Sequence, residues 1–124
     1  MNPKQEYKKL INSFKYAIEG FISSFKTERN MKIHVLAMVI VIALGVFFKL
    51  DKIEWCIATI TIVVVLSAEL FNTAIETVVD MISPEKNAKA KLAKDISAAA
   101  VLVLAMGAVI IGDIIFIPKF NIGF

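Results

Sequence analysis

The sequence predicts an all-α membrane protein with one amphipathic helix and three transmembrane helices. Of its 124 residues, 58% are hydrophobic, and the mean hydropathy is +0.75. Soluble domains are usually only about 45–50% apolar. Three apolar stretches, at residues 33–50, 53–71 and 98–117, account for the excess. Each is close to the ~20 residues that an α-helix needs to cross a bilayer, so we expect three spans in a single membrane domain, residues 1–124.

The N-terminal segment has a different pattern, which is typical of a helix lying in the membrane interface. Its apolar side chains recur at i, i+3 and i+4, with a basic polar face opposite. A helix packed on the bundle is the alternative, but a short membrane chain offers few surfaces for it. We expect this helix at about residues 5–27, and helices containing the spans at about 32–50, 53–80 and 90–117. The apolar face comprises Leu10, Ile11, Phe14, Ala17, Ile18, Phe21, Ile22 and Phe25.

The placement of basic residues predicts the orientation of the spans. Lysine and arginine are concentrated before the first span and between the second and third, so both segments are expected in the cytoplasm. The start of the chain has no apolar run, which argues against a cleavable signal peptide. The two groups are Lys4, Lys8, Lys9, Lys15, Lys26, Arg29 and Lys32, then Lys86, Lys89, Lys91 and Lys94.

Composition and motifs exclude several soluble classes of protein. With only Cys56 and His34, neither a disulfide framework nor a cysteine-based or two-histidine metal site is possible. The phosphate-binding motifs GxxxxGK[ST] and GxGxxG are both absent, which makes P-loop and Rossmann folds unlikely candidates.

Four polar residues lie along one face of the second predicted span. Glu69, Asn72, Glu76 and Asp80 are spaced by 3, 4 and 4 residues, so a helix aligns them. An acidic side chain within a span costs a few kcal/mol and seldom occurs without a role. The alternative to a functional role is a structural one, in which these acids pair with lysines of a neighbouring helix and fix the packing.

Further charged residues are expected at the same cytoplasmic level. Glu28 precedes the first span, and Lys94 precedes the third at what we expect to be the start of a helix, where free N–H groups favour phosphate. Carboxylates such as Glu28 and Glu76 can hold Mg²⁺, and Glu69 could accept a proton from a hydroxyl group. These parts suit phosphoryl transfer. A proton or cation pathway, or a structural subunit that pairs with a partner's lysines, could use the same acids.

Two long segments carry a specific resemblance. Residues 69–80 read Glu-Leu-Phe-Asn-Thr-Ala-Ile-Glu-Thr-Val-Val-Asp, and residues 90–101 read Ala-Lys-Leu-Ala-Lys-Asp-Ile-Ser-Ala-Ala-Ala-Val. With residues 13–17 and 28–34, they resemble the prokaryotic integral-membrane diacylglycerol kinase and undecaprenol kinase family. The resemblance implies an ATP-dependent lipid kinase of the bacterial inner membrane. It also implies homotrimers of three-span subunits with active sites shared between neighbouring chains.

The resemblance further implies roles for individual residues. Glu28 and Glu76 would bind the Mg²⁺ that bridges the ATP phosphates. Lys94 would contact those phosphates, and Asp80 and Asp95 would orient Lys94 or the nucleotide.

Three more roles follow from the same resemblance. Glu69 would be the general base, Asn72 would bind substrate beside it, and Tyr16 would line the nucleotide pocket from the surface helix. One segment departs from the family pattern. Where relatives often have His-Pro-Leu, this chain has Asn87-Ala88-Lys89, which leaves the nucleotide preference open.

The acceptor lipid is predicted from the branch of the family that the chain resembles. The stretch at residues 28–34 and the short outer hairpin look more like the Gram-positive branch, whose members act mainly as undecaprenol kinases. We therefore expect undecaprenol as acceptor, with diacylglycerol as the alternative.

Overall fold

Four α-helices make up the part of the chain that the structure describes, residues 1–120 of a computed structural model. They are α1 (Pro3–Thr27), α2 (Arg29–Phe47), α3 (Lys52–Ile82) and α4 (Ala88–Phe120). The prediction of an all-helical fold is confirmed. Helices α2, α3 and α4 are each long and apolar enough to cross a membrane, so the chain is a membrane protein with three candidate spans. The surface location of α1, the number of subunits and the division into one domain stay predictions.

Local sequence signals define where the helices begin and end. Asn2 starts α1 with a capping box that it forms with Gln5, and Asp51 starts α3 with a capping box that it forms with Glu54. Such reciprocal side-chain bonds satisfy backbone N–H groups that have no partner inside the helix. Between α1 and α2 only Glu28 is non-helical, with extended backbone angles of φ −106° and ψ 117°. Glu28 is therefore held at a sharp junction between two helices.

The turn between α2 and α3 is compact because the chain reverses through one left-handed residue. Lys49 has φ +54°, and the N–H of Leu50 donates to the carbonyl oxygen of Gly45 at 3.0 Å. This is the Schellman arrangement, in which glycine is the usual left-handed residue. The reversal places Leu50 in the interior, where it is buried.

The tightest apolar packing surrounds this turn, and we call this region the hairpin end. Leu50, Ile115 and Phe116 are buried there, with Phe48 and Trp55 packed against them. A Cβ atom at Gly45 would lie 2.6 Å from Cη2 of Trp55, so the close approach of α2 and α3 requires glycine at that position.

An ion pair closes the hairpin end. Nζ of Lys119, near the end of α4, lies 3.0 Å from Oε2 of Glu54 at the start of α3. The most extensive helix packing is between these two helices, so α3 and α4 form the frame on which the other helices rest.

Candidate active site

Helix α3 carries a buried polar pair at the end of the bundle opposite the hairpin. Glu69 is only 1% exposed and Asn72 only 4%. Within the described residues, both carboxylate oxygens of Glu69 and Oδ1 of Asn72 lack a hydrogen-bond partner. A buried charge without partners costs several kcal/mol, and a group retained at that cost is a strong candidate for function.

The next turn of α3 extends this polar face. Nδ2 of Asn72 donates to Oε1 of Glu76 at 3.2 Å, and this bond leaves Oδ1 of Asn72 directed elsewhere. Glu76 is half-buried, whereas Asp80, one turn further on, is exposed. The stripe therefore runs from a buried acid to a solvent-exposed one.

Helix α1 brings Glu28 to the same place. The backbone N–H of Glu28 donates to the carbonyl oxygen of Ser24 at 2.9 Å. The buried hydroxyl of Ser24 lies 3.3 Å from the hydroxyl of Thr73, which itself donates to the backbone oxygen of Glu69 at 3.0 Å. The sequence placed Glu28 and Glu76 at one membrane level by topology alone, and the contact between Ser24 and Thr73 joins α1 to α3 about one helical turn from each of them.

Lys94 belongs to a second group of charges, and one expectation about it is wrong. Helix α4 already begins at Ala88, so Lys94 lies in the second turn and the N–H groups around it are bonded within the helix. Its Nζ is instead paired with Oδ1 of Asp80 on α3. Asp95 does not join this pair, because it accepts from Nζ of Lys91 at 2.6 Å. Asp80 is therefore the acid that pairs with Lys94, and Asp95 pairs with Lys91.

The departure from the family pattern at residues 87–89 has a structural consequence. Oδ1 of Asn87 accepts from the N–H groups of Lys89 and Ala90, at 2.8 and 3.0 Å. Asparagine is among the preferred residues for this capping role. Asn87 therefore starts α4, and the loop between Ser83 and Asn87 lines an open, polar cleft beside Lys94.

Tyr16 is the predicted site residue that lies apart from the others. Its side chain is 63% exposed on α1. It precedes Ser24 by two turns, which separates the two by about 12 Å along the helix axis. Its role in a nucleotide pocket stays a prediction.

His34 is a further polar residue at the site, although its place at the start of the first predicted span made an interfacial anchor the expected role. Its Nε2 lies 3.9 Å from Oε2 of Glu69, and the side chain is 17% exposed. The two residues are 35 positions apart on different helices, so no local spacing could have paired them. His34 also lines one end of an apolar groove of about 460 Å³ between α2, α3 and α4, whose other end reaches Phe116.

Comparison with known proteins identifies the family of the chain. The model of the prokaryotic diacylglycerol kinase family matches residues 15–116, a range that includes every site residue named above. The chain belongs to this family. The family prediction is thereby confirmed, and with it the assignment of the chain as a lipid kinase.

The relatives of this chain include a protein named undecaprenol kinase and proteins named diacylglycerol kinase. The undecaprenol kinase of Bacillus subtilis is 40% identical over 116 residues, which are 94% of each chain. The diacylglycerol kinase of Haemophilus influenzae is 36% identical over 86% of this chain and 92% of its own length. The diacylglycerol kinase of Synechocystis is 39% identical over 88% of this chain and 63% of its own length.

The oxygen-bearing side chains at the site of this kinase are of the type that binds a divalent metal. Within residues 1–120, no group of three or more His, Cys, Asp or Glu side chains is assembled for a metal ion. Magnesium, however, usually takes only one or two carboxylates and completes its shell with phosphate oxygens and water. Glu28, Glu76 and the unpartnered Oδ1 of Asn72 offer the hard oxygen ligands that this ion prefers.

Proposed function

We propose that this chain transfers the γ-phosphate of Mg-ATP to the hydroxyl group of a membrane lipid alcohol, converting undecaprenol to undecaprenyl phosphate. The observation that carries the proposal is the position of Glu69 where an apolar groove meets a cluster of charged residues. This carboxylate is buried and has no hydrogen-bond partner within residues 1–120. A lipid hydroxyl and a nucleotide phosphate can approach one another only at such a junction.

The chemical step assigns one proton to Glu69. The acceptor oxygen forms a bond to the γ-phosphorus, the bond from that phosphorus to the bridging oxygen of ADP breaks, and the hydroxyl proton moves to the Glu69 carboxylate. Positioning and charge stabilisation supply most of the catalysis in phosphoryl transfer. A carboxylate without hydrogen-bond partners is free to accept that proton.

The remaining charged residues would handle the nucleotide. Glu28 and Glu76 would hold Mg²⁺, which when bound neutralises charge on the phosphates. Lys94, held by Asp80 at the edge of the open cleft, would contact the phosphates. Asp95 and Tyr16 would border the nucleotide, the first from α4 and the second from α1.

We propose further that the protein works as a homotrimer in the bacterial inner membrane, with its site on the cytoplasmic side. The basic residues before α2 and between α3 and α4 support this orientation. The large apolar side chains that α1 leaves exposed support its position in the membrane interface. Exposed acidic residues at the site, including Asp80 and Asp95, leave room for residues of a neighbouring subunit.

Diacylglycerol is the alternative acceptor. Two of the relatives compared above are named diacylglycerol kinases. The 40% identity to an undecaprenol kinase over nearly the full length of both chains supports undecaprenol as the better choice.

The test is transfer of labelled γ-phosphate from ATP with Mg²⁺ in mixed micelles, with undecaprenol and diacylglycerol offered separately. We expect strong labelling of undecaprenol, little labelling of diacylglycerol, and none of either after chelation of the metal. Glu76→Gln should abolish transfer while the protein still assembles, and Glu19→Gln, at an exposed acid of α1, should retain it.

Two outcomes would contradict the proposal. Preferential labelling of diacylglycerol would reverse the acceptor assignment and keep the mechanism. No labelling from well-assembled protein, together with ion flux in liposomes that is lost in Glu69→Gln, would favour a conducting oligomer instead.

A further inference from the structure

Two ionisable residues line the apolar groove, and His34 is the one at its active-site end. Among the polar side chains that line it, Thr61 already donates its hydroxyl proton to the backbone oxygen of Ile57 at 2.7 Å. Asp113 lies at the part of the groove formed with Phe116, near the hairpin end. His34 is the lining residue beside Glu69, so a molecule in the groove meets the site through His34.

The space between His34 and Glu69 suits one hydroxyl group. The 3.9 Å between Nε2 and Oε2 exceeds the length of a direct hydrogen bond. A hydroxyl oxygen can lie at about 2.8 Å from both atoms, which is ordinary hydrogen-bond distance. Both oxygens of Glu69 are unpartnered within the described residues, so the carboxylate is available for such a bond.

We propose that His34 binds the acceptor and selects a lipid whose lone hydroxyl is carried on a plain hydrocarbon chain. Nε2–H of His34 donates to the hydroxyl oxygen, and the hydroxyl proton is donated to Oε2 of Glu69. In the transfer step that proton moves to Glu69, the oxygen bonds to phosphorus, and His34 keeps its own proton. This inference rests on the proposed function and names the acceptor class for the same site.

The selectivity comes from the walls next to His34. They are formed by Ile33 and Ala37 of α2 and by Val65 and Leu66 of α3. None of these side chains can donate a hydrogen bond, and their backbone N–H groups are engaged within helices. Diacylglycerol has two ester groups close to its hydroxyl, which would lose water here without gaining a partner. A polyprenol has only hydrocarbon at that position.

The first experiment compares two substitutions at His34 with the wild type. His34→Leu is expected to lower kcat/KM for the polyprenol by about tenfold or more, the usual effect of losing a hydrogen bond in a buried site. The KM for ATP should stay unchanged. His34→Gln retains a donor and should restore most of the loss. Wild-type acceptor kinetics in His34→Leu, or an equal loss of ATP affinity, would overturn the proposal.

A third variant keeps the test decisive if His34→Leu does not assemble. His34→Asn retains a polar group with a shorter reach, and we expect acceptor kcat/KM below that of His34→Gln. Equal values for wild type, Asn and Gln would overturn the assignment.

A binding measurement without ATP separates acceptor binding from catalysis. A polyprenol with a diazirine near its hydroxyl end should label the segments around Ala37 and Leu66, and His34→Leu should reduce that labelling severalfold. Labelling only outside the groove would overturn the proposal. A second variant, Ala37→Cys on a Cys56→Ser background, tests whether another copy of the chain covers the groove instead. A disulfide between two copies, with no labelling of the groove, would overturn the proposal.

The selectivity can be tested by adding a donor to the wall. Ala37→Ser is expected to raise the ratio of diacylglycerol to polyprenol kcat/KM severalfold. Ala43→Ser, on the same helix but outside the groove, is the matched control. An unchanged ratio in Ala37→Ser would overturn the selectivity.

Transfer by the wild type to neither lipid would contradict the proposed function itself. Normal transfer that does not change when His34 is substituted would contradict only this inference.

Discussion

The two ends of the bundle differ in whether their buried or partly buried glutamate has a partner. At the hairpin end, Glu54 accepts from Lys119 and also from the N–H of Asp51. The rings of Phe48 and Phe120 pack edge to face there, with centroids 4.8 Å apart. At the active-site end, Glu69 is more deeply buried than Glu54 and has no hydrogen-bond partner among the described residues.

Glu54 contributes to stability through its ion pair, whereas burial of Glu69 lowers the stability of the fold. Paired and capped groups at the hairpin end offset their desolvation locally. An unpartnered buried carboxylate cannot do so, and natural proteins keep such groups mainly at functional sites. Substitutions at the two ends should therefore change different measured quantities.

The largest effect is expected at Glu69. Glu69→Gln should lower kcat by about 10²–10⁴-fold, the usual contribution of a general base. The protein should not become less stable, because glutamine removes a charge that is buried without a partner. Labelled phosphate transfer and unfolding in SDS would measure the two quantities.

The matched control for Glu69→Gln is Glu54→Gln at the hairpin end. It weakens the ion pair with Lys119 and should lower stability by about 1 kcal/mol while leaving kcat unchanged. A loss of stability in Glu69→Gln as large as its loss of activity would remove the contrast between the two ends.

A large loss of stability is expected at Gly45. Gly45→Ala places a Cβ atom 2.6 Å from Cη2 of Trp55 and should destabilise the protein by about 1–3 kcal/mol. Transfer per assembled molecule should not change. In Gly20→Ala, nothing lies within 4 Å of the added atom, so this control should hold or raise stability. Equal unfolding midpoints for both variants would show that the helices approach less closely than described.

A smaller effect is expected where α1 meets α3. Ser24→Ala removes the hydroxyl contact with Thr73 that holds the end of α1, one turn before Glu28, against α3. We expect the Mg²⁺ concentration for half-maximal transfer to rise by about three- to tenfold, in keeping with one lost hydrogen bond. Binding of Mn²⁺, followed by electron paramagnetic resonance, should weaken in parallel.

Ser23→Ala is the matched control, since that side chain is exposed on the same helix. The positioning role of Ser24 fails if the two variants need the same Mg²⁺ concentration.

The smallest effect is a gain at the hairpin turn. Lys49 is a non-glycine residue with φ +54°, a conformation that costs about 1 kcal/mol for an L side chain. Lys49→Gly should therefore raise the free energy of unfolding by about that amount. Lys52→Gly, in the first turn of α3, should lower it. If Lys49→Gly lowers the free energy of unfolding instead, the lysine side chain makes a contact that stabilises the fold by more than the backbone strain costs.

Much of the fold follows from local patterns. The apolar stretches predict α2, α3 and α4 because a helix of that length and hydropathy is stable in a bilayer with few tertiary contacts. Helical spacing likewise predicts that Glu69, Asn72 and Glu76 share a face, and Asn72 indeed bonds Glu76. Helix α4 begins at Ala88 because Asn87 caps it ahead of the apolar stretch that predicted the third span.

The helical membrane architecture, the acidic stripe and the family could all be predicted from the sequence alone, because each depends on residues that are neighbours along one helix or one motif. Which groups from different helices meet became known from the packed structure. It placed His34 beside Glu69, paired Lys94 with Asp80, and joined Ser24 to Thr73. Contacts between helices depend on how the helices pack, and no spacing along the chain encodes that geometry.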